Sequence, residues 1–265
     1  MILYCRAVFG GREEGSILTS ASECKNEKND EKRFYSRVFS YILPLLMHRA
    51  HRCKYIVGID EVGRGPLAGD VYAGAVILSA RLNKKLLSAY HRPRSGAQNS
   101  FPCRLADSKK LSLRQREAWV SWMYRQSITY AVARVSPAVI DRINIARACD
   151  LAAGRAYQRI RAGSSVSGAL CIVADGGLSV GNSLQAGDLF DHFPKADERV
   201  PAVSLASIVA KVLRDRAMVR LARRYPHYGF DVHKGYGTPK HMRALRIHGA
   251  VPAHRKVFIK GLRAH

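Results

Sequence analysis

At 265 residues with 47% hydrophobic side chains, the chain can bury a full core, as one large domain or as one domain with appendages. A formal net charge of +24 at pH 7 calls for an acidic partner, whether nucleic acid, ribosomal RNA or an anionic membrane face. Six cysteines without paired ligand spacing argue against a zinc site or a disulfide framework and fit a reducing, cytoplasmic setting.

Residues 1–50 hold eight Lys/Arg against six Asp/Glu, so the basic surplus belongs to the rest of the chain. From Gly10-Gly11 through Arg33 it is polar, mixed in charge and without sustained periodicity, and is expected to be disordered. The apolar run 36–47 is broken by Pro44, too short to span a bilayer and too far from the start for a secretory signal. A true start at Met47 would make the upstream part an artefact of annotation.

From Lys54 the pattern is organised. Residues 55–59 and 71–78 read as buried strands, being short and rich in β-branched and aromatic side chains. A helix is expected over 112–125 with Ser112 as its cap, a strand over 128–135, and one helix over 137–160 carried by Ile140, Ile143, Ala148, Leu151 and Ala152. Residues 169–174 form an apolar strand, with Cys171 a small buried hydrophobe. A long amphipathic helix covers 204–224 and a shorter one 239–248. Residues 91–102 and 178–194 look like surface loops. Alternating strands and helices indicate an α/β layer architecture.

The chemistry concentrates at strand ends. Asp60 and Glu61 close an apolar run and open into Gly63-Arg64-Gly65-Pro66, and Asp175 ends a second strand. Open α/β sheets present polar site residues at such ends. Adjacent strand residues point to opposite faces, so Asp60 and Glu61 can share a site only where the strand is ending, a break that Val62-Gly63 supplies. Magnesium and manganese prefer hard oxygen ligands, and carboxylates from separate elements could hold two ions about 4 Å apart for phosphodiester cleavage. The glycines imitate a dinucleotide fingerprint, but a strand rather than a helix comes after them, which excludes it. They serve instead to let bare backbone approach a ligand; were that RNA, the backbone and Arg64 would meet a ribose 2′-OH.

Gly58-Ile59-Asp60-Glu61-Val62-Gly63-Arg64-Gly65-Pro66-Leu67-Ala68-Gly69 resembles the opening motif of the bacterial type 2 ribonucleases H, the ribonuclease HII family. The resemblance continues in order through Asp107-Ser108-Lys109-Lys110-Leu111-Ser112, Ile140-Asp141-Arg142-Ile143-Asn144-Ile145, Ala174-Asp175-Gly176 and Asp197-Glu198-Arg199-Val200-Pro201. Ala206-Ser207-Ile208-Val209-Ala210-Lys211-Val212, Tyr228-Gly229-Phe230, His233-Lys234-Gly235-Tyr236-Gly237-Thr238 and His254-Arg255 complete it, over roughly residues 54–260. It implies a ribonuclease H-like fold, with a mixed central sheet flanked by helices and a helical C-terminal part. It also implies Mn2+- or Mg2+-dependent cleavage of RNA in RNA–DNA hybrids and 5′ of single ribonucleotides in duplex DNA, leaving 3′-hydroxyl and 5′-phosphate ends; no obligate protein partner is evident in the sequence. By motif position the metal-binding and catalytic carboxylates are Asp60, Glu61, Asp175 and Asp197. Gly63, Arg64 and Gly65 take the place of the loop that reads the 2′-OH, and Tyr236 that of the tyrosine packing on the sugar at the RNA–DNA junction.

Asp188, Asp191 and Asp215 compete for the fourth ligand position, and the flanking blocks register Asp197. Lys109 is a candidate phosphate contact, although a lysine before a helix is commonly a solvated edge. Ser207 and Lys211 lie one helical turn apart and would share a phosphate-facing side, or Ser207 is an ordinary helix hydroxyl. Tyr236 between glycines suits stacking better than core filling. The histidines follow no ligand pattern and are assigned no metal. Two rival readings remain: a non-enzymatic basic binder, which leaves the strand-end carboxylates unexplained, and a two-metal nuclease of DNA junctions, which leaves the Gly-Arg-Gly loop unexplained.

Overall fold

The computed structural model describes residues 54–91 and 101–261. The chain divides into two units, Met1–Arg49 and Ala50–His265, and the description concerns the second. The expectations for residues 1–50 and for most of the 91–102 loop lie outside the described residues.

Five strands, β1 (Tyr55–Val62), β2 (Val71–Ser79), β3 (Tyr130–Val135), β4 (Cys171–Asp175) and β5 (Leu189–Phe193), form one sheet in the order β3-β2-β1-β4-β5. The first three are antiparallel neighbours, while β4 runs parallel to β1 and β5 parallel to β4. The sheet is therefore mixed, as expected. It carries α1 (Ala80–His91), α2 (Leu113–Arg125), α3 (Pro137–Ile143), α4 (Ile145–Gly163) and α5 (Pro201–Arg224), followed by α6 (Phe230–His233), α7 (Pro239–His248) and α8 (Lys256–Ile259).

The period-two alternation of the central strands assigns each helix a face. Val57, Ile59, Val71, Ala73, Ala75 and Ile77 pack on α4, whereas Ile56, Val76 and Leu78 pack on the α5 side. Gly58 and Gly74 also face α5. A Cβ on Gly58 would stand 2.1 Å from the Ala202 carbonyl carbon, and one on Gly74 2.4 Å from the Ala206 oxygen. Backbone of helix and sheet are thus in direct contact, which explains why residues 201–210 are buried without exception. This corrects the amphipathic reading of that helix: its first half is a central core element, and only the part beyond Ala210 has a wet side.

Other departures have local causes. The helix expected over 137–160 is broken at Asn144, whose φ of 67° ends α3 and whose side chain accepts the Arg147 N–H at 3.1 Å to start α4. Strand β5 lies inside the stretch read as a loop. Ser112 does cap α2, in a reciprocal capping box with Gln115. Cys171 is buried, as expected. A third apolar cluster joins Ala68 to Met218, Tyr228, Phe230, Ala244 and Leu245, docking the β1–β2 connection onto the helical C-terminal part. Among the described residues no helix is long and apolar enough to cross a membrane.

Candidate active site

The last paired residues of β1 and β4 are Ile59 and Ala174. Asp60 and Asp175 come next on two adjacent parallel strands, where the ladder between them has stopped. On its other edge β1 remains paired with β2 through Val62, so the strand does not end at Asp60, as the sequence suggested; it opens on one side only. Asp60 and Glu61 consequently keep their opposite faces. Asp60, 6% exposed, meets the Ser207 hydroxyl on the α5 side. Glu61 lies on the α4 side, where its charge helps push the Cys149 thiol up to about 12, behind the larger effect of burial.

The remaining acids are brought in by the β4 end. The Asp175 carboxylate accepts the Ala196 N–H at 2.7 Å, tying the turn Ala196–Glu198 to the strand. The Ser204 hydroxyl donates to the Asp197 carbonyl and fixes the turn from α5. Burial, then the charges of Asp175, Asp107 and Glu198, push the Asp197 carboxyl up to about 6. Asp60 is raised well above the usual carboxylate range by burial and then by Glu61, with Asp175 and Asp197 adding and the Ser207 hydrogen bond opposing. Glu61 is raised by burial and held back by Arg64, 3.4 Å away.

The four acids thus share one neighbourhood. They do not form a closed cage: among the described residues no set of three His, Cys, Asp or Glu side chains is gathered into a metal-enclosing group. Two of the carboxylates are turned onto backbone donors, Asp60 onto the Glu61 N–H at 2.7 Å and Asp175 onto that of Ala196 at 2.7 Å. Hard oxygen donors drawn to one strand end, with burial and neighbouring acids raising Asp60, Glu61 and Asp197, fit divalent cations such as Mg2+ or Mn2+.

The competitors for the fourth position are engaged elsewhere. Asp188 accepts the Tyr157 hydroxyl and the N–H groups of Leu170 and Gln185. Asp191 bonds the N–H of His192. Asp215 pairs with Lys211 at 2.8 Å and Arg116 at 3.5 Å. Lys211 is therefore committed to an ion pair inside the fold. Ser207, also buried, lies between Asp60 and Ser108, its hydroxyl oxygen 2.9 Å from that of Ser108. Either hydroxyl can be the donor between them; Arg116 in turn holds the Ser108 carbonyl at 3.0 Å. Lys109 is exposed and near enough for its charge to lower the Asp197 pKa, against the dominant burial effect. Lys110 bonds Glu198 at 2.8 Å.

Beside the acids, Gly63 turns with φ 92° and leads to Arg64, whose side chain is exposed. Tyr236, 45% exposed, stands next to Gly65, where an added Cβ would lie 3.8 Å from its ring. The structure brings this loop and the tyrosine together. Ser108, Arg116, Arg214 and Arg255 support the site without having been singled out from the sequence; for Ser108 and Arg255 the signal was their place in matching blocks.

A model of the ribonuclease HII family matches residues 57–260. Ribonuclease HII of Bordetella pertussis is 43% identical over 203 residues, covering 77% of this chain and 88% of its own. Among solved structures, ribonuclease H2 from Pyrococcus horikoshii OT3 is similar with a TM-score of 0.59 at 23% identity, over 77% of this chain and 93% of that one. Bst-RNase HIII, solved in complex with Mn2+, is similar with a TM-score of 0.54 at 17% identity, over 80% and 71%.

Proposed function

The chain belongs to the ribonuclease HII family and is a ribonuclease H acting on RNA–DNA hybrids; from that premise we propose that Asp60, Glu61, Asp175 and Asp197 hold Mn2+ or Mg2+ at the scissile phosphate. The Mn2+ complex of Bst-RNase HIII supports the choice of metal. When bound, the ions supply Lewis acidity and counter-charge to the phosphate. In the hydrolysis a water oxygen adds to phosphorus while the bond to the 3′ oxygen breaks. The 3′ oxygen leaves and takes a proton, giving 3′-hydroxyl and 5′-phosphate ends. Cleavage falls 5′ of a ribonucleotide, including a single one embedded in duplex DNA.

The chain's own residues orient this reaction. Ser207, backed by Ser108, sets a hydroxyl against the buried Asp60 carboxylate and favours its charged form, while the Glu61 N–H holds one of its oxygens. The backbone of Gly63, Arg64 and Gly65 meets the ribose 2′-OH, and Tyr236 packs on the sugar at the junction. Lys109, on the exposed rim near Asp197, faces backbone phosphate, whereas Lys211 contributes through its ion pair with Asp215. A cytoplasmic site of action goes with this substrate. The observation that carries the reading is the buried Asp60 beside Asp175, past the last β1–β4 pair, with the Gly-Arg-Gly loop directly after it in sequence.

Purified protein with Mn2+ or Mg2+ is offered a duplex containing one ribonucleotide, its all-DNA counterpart and a continuous hybrid. Nicking 5′ of the ribonucleotide and cutting of the hybrid are expected, with the all-DNA duplex intact. Equal cutting of all-DNA duplex would sink the proposed sugar selection.

A further inference from the structure

The loop after Glu61 is held from beneath by two guanidinium groups supplied from far along the chain. Arg255 is fully buried. It donates to the Gly63 carbonyl at 2.6 Å, to that of Arg64 at 2.8 Å, and twice to that of Gly69 at 2.9 and 3.0 Å. Arg214, also fully buried, donates to the carbonyls of Asp70 at 3.2 Å, Lys234 at 3.1 Å and Ala68 at 3.4 Å. Its side chain fills the space under Gly63 so closely that a Cβ there would meet Nε at 2.1 Å. Both are buried cations bonded to carbonyl oxygens, a task for which a planar fork of five donors is suited and a lysine is not.

This arrangement has a directional consequence. In a trans peptide the carbonyl and the following N–H point opposite ways. With the carbonyls of Gly63 and Arg64 turned inward onto Arg255, the N–H groups of Arg64 and Gly65 are turned outward. Among the described residues neither amide has a hydrogen-bond acceptor, unlike those of Leu67 and Gly69, which bond the carbonyls of Gly235 and Ala253 at 2.8 Å. Two adjacent donors are thus left open in the loop that Tyr236 adjoins, its ring 3.8 Å from a Cβ placed on Gly65. The segment that delivers Arg255 is itself fastened: its N–H bonds the Leu67 carbonyl at 2.8 Å, and the Asp141 carboxylate takes the N–H groups of Lys256 and Val257, each at 3.0 Å. The Phe258 ring covers the guanidinium at 5.3 Å.

We propose that Arg255 is a positioning residue for ribose selection: by fixing the Gly63 and Arg64 carbonyls it presets the Arg64 and Gly65 amides as donors to the 2′-hydroxyl oxygen. The proposal deepens the loop's role in the proposed function and rests on it. Arg214 holds the other half of the loop in the same way.

The test measures binding without cleavage, in the full chain carrying Asp60→Asn. Duplexes with one ribonucleotide and their all-DNA counterparts are compared in parent and in Arg255→Lys, which keeps the charge and loses the fork. Arg255→Lys is expected to lower the ribonucleotide-over-DNA preference about tenfold, the loss of roughly one well-made hydrogen bond, with all-DNA affinity and cooperative melting retained. A merely structural role would lower both affinities together, and that result, or an unchanged preference in a folded variant, overturns the proposal. If Arg255→Lys does not melt cooperatively, Asp141→Ala decides: loosening the segment should reduce the preference about threefold, and no reduction overturns it. A parent without any preference removes the loop's assigned role itself and the clamp with it, an outcome distinct from a preference indifferent to Arg255.

Discussion

Alanine at Gly58 probes how closely α5 lies on the sheet. Its Cβ would stand 2.1 Å from the Ala202 carbonyl carbon and 2.2 Å from the Val203 nitrogen, where ordinary contact begins at 3.4 Å. Neither atom belongs to a side chain that can rotate away, so strand and helix must separate by about 1.3 Å. Overpacking a tight core costs typically 1–3 kcal/mol and sometimes more; a clash of backbone with backbone belongs at the upper end, ~3 kcal/mol. For a protein of this size that lowers Tm by roughly 6–12 °C. Asp60 and Ser207 sit on the same two elements, so cleavage should fall as well, by about a hundredfold for a misplacement near 1 Å. Differential scanning calorimetry and single-turnover cleavage measure the two effects. The control is Gly163→Ala at the end of α4, where nothing lies within 4 Å of the added Cβ and a gain of about 0.4–1 kcal/mol is expected. A Gly58→Ala protein melting within about 2 °C of the parent would refute the direct backbone contact.

The site itself yields three further expected outcomes. Asp60→Asn should reduce cleavage by about 10³-fold or more while duplex binding persists, and should raise the metal-free Tm, because the wild-type carboxyl is disfavoured by burial and three neighbouring acids; activity within a few-fold of wild type would remove Asp60 from the reaction. The Asp197 carboxyl, pushed up from 3.8 to about 6, holds its proton more firmly in the folded than in the unfolded chain. Its contribution to metal-free stability is therefore present below about pH 4 and lost as pH rises through about 6, so Mn2+ should raise Tm more near pH 7.5 than near pH 5.5, as melts at both values will read. Tyr236→Ala should weaken binding of a ribonucleotide-containing duplex by about 1–3 kcal/mol and Tyr236→Phe by much less; equal losses in fluorescence titrations would mean that the hydroxyl, not the ring face, makes the contact.

What the sequence disclosed runs along physical lines. An apolar run closing in an acid is legible without tertiary context, and Asp60 and Asp175 were found that way. So was the Ser112 cap, since Ser and Gln at this spacing carry their own mechanism. Asp197 was reachable only by family resemblance, because a single turn anchored by the Asp175 carboxylate leaves no periodic trace. The break at Asn144 was hidden by apolar spacing that continues across it. The burial of α5 was hidden because Ala202, Ala206, Ala210 and Ser207 look unremarkable until Gly58 and Gly74 bring the sheet against them. Strand β5 was masked by its polar surroundings. Arg214 was illegible for another reason, since in a chain of 44 Lys and Arg an arginine reads as surface charge, while Arg255 stood in a matching block that gave it no role.

The residue that floors the β1–β2 connection comes 192 positions after Gly63. A ribosome adding about 5–20 residues per second needs roughly 10–40 s to cover that distance. Through that interval the emerging polypeptide owns its first two acids and a loop whose amides have no fixed heading. Under the proposed clamp, ribose discrimination waits for Arg255 to emerge, long after the acids and the loop that it serves have been made.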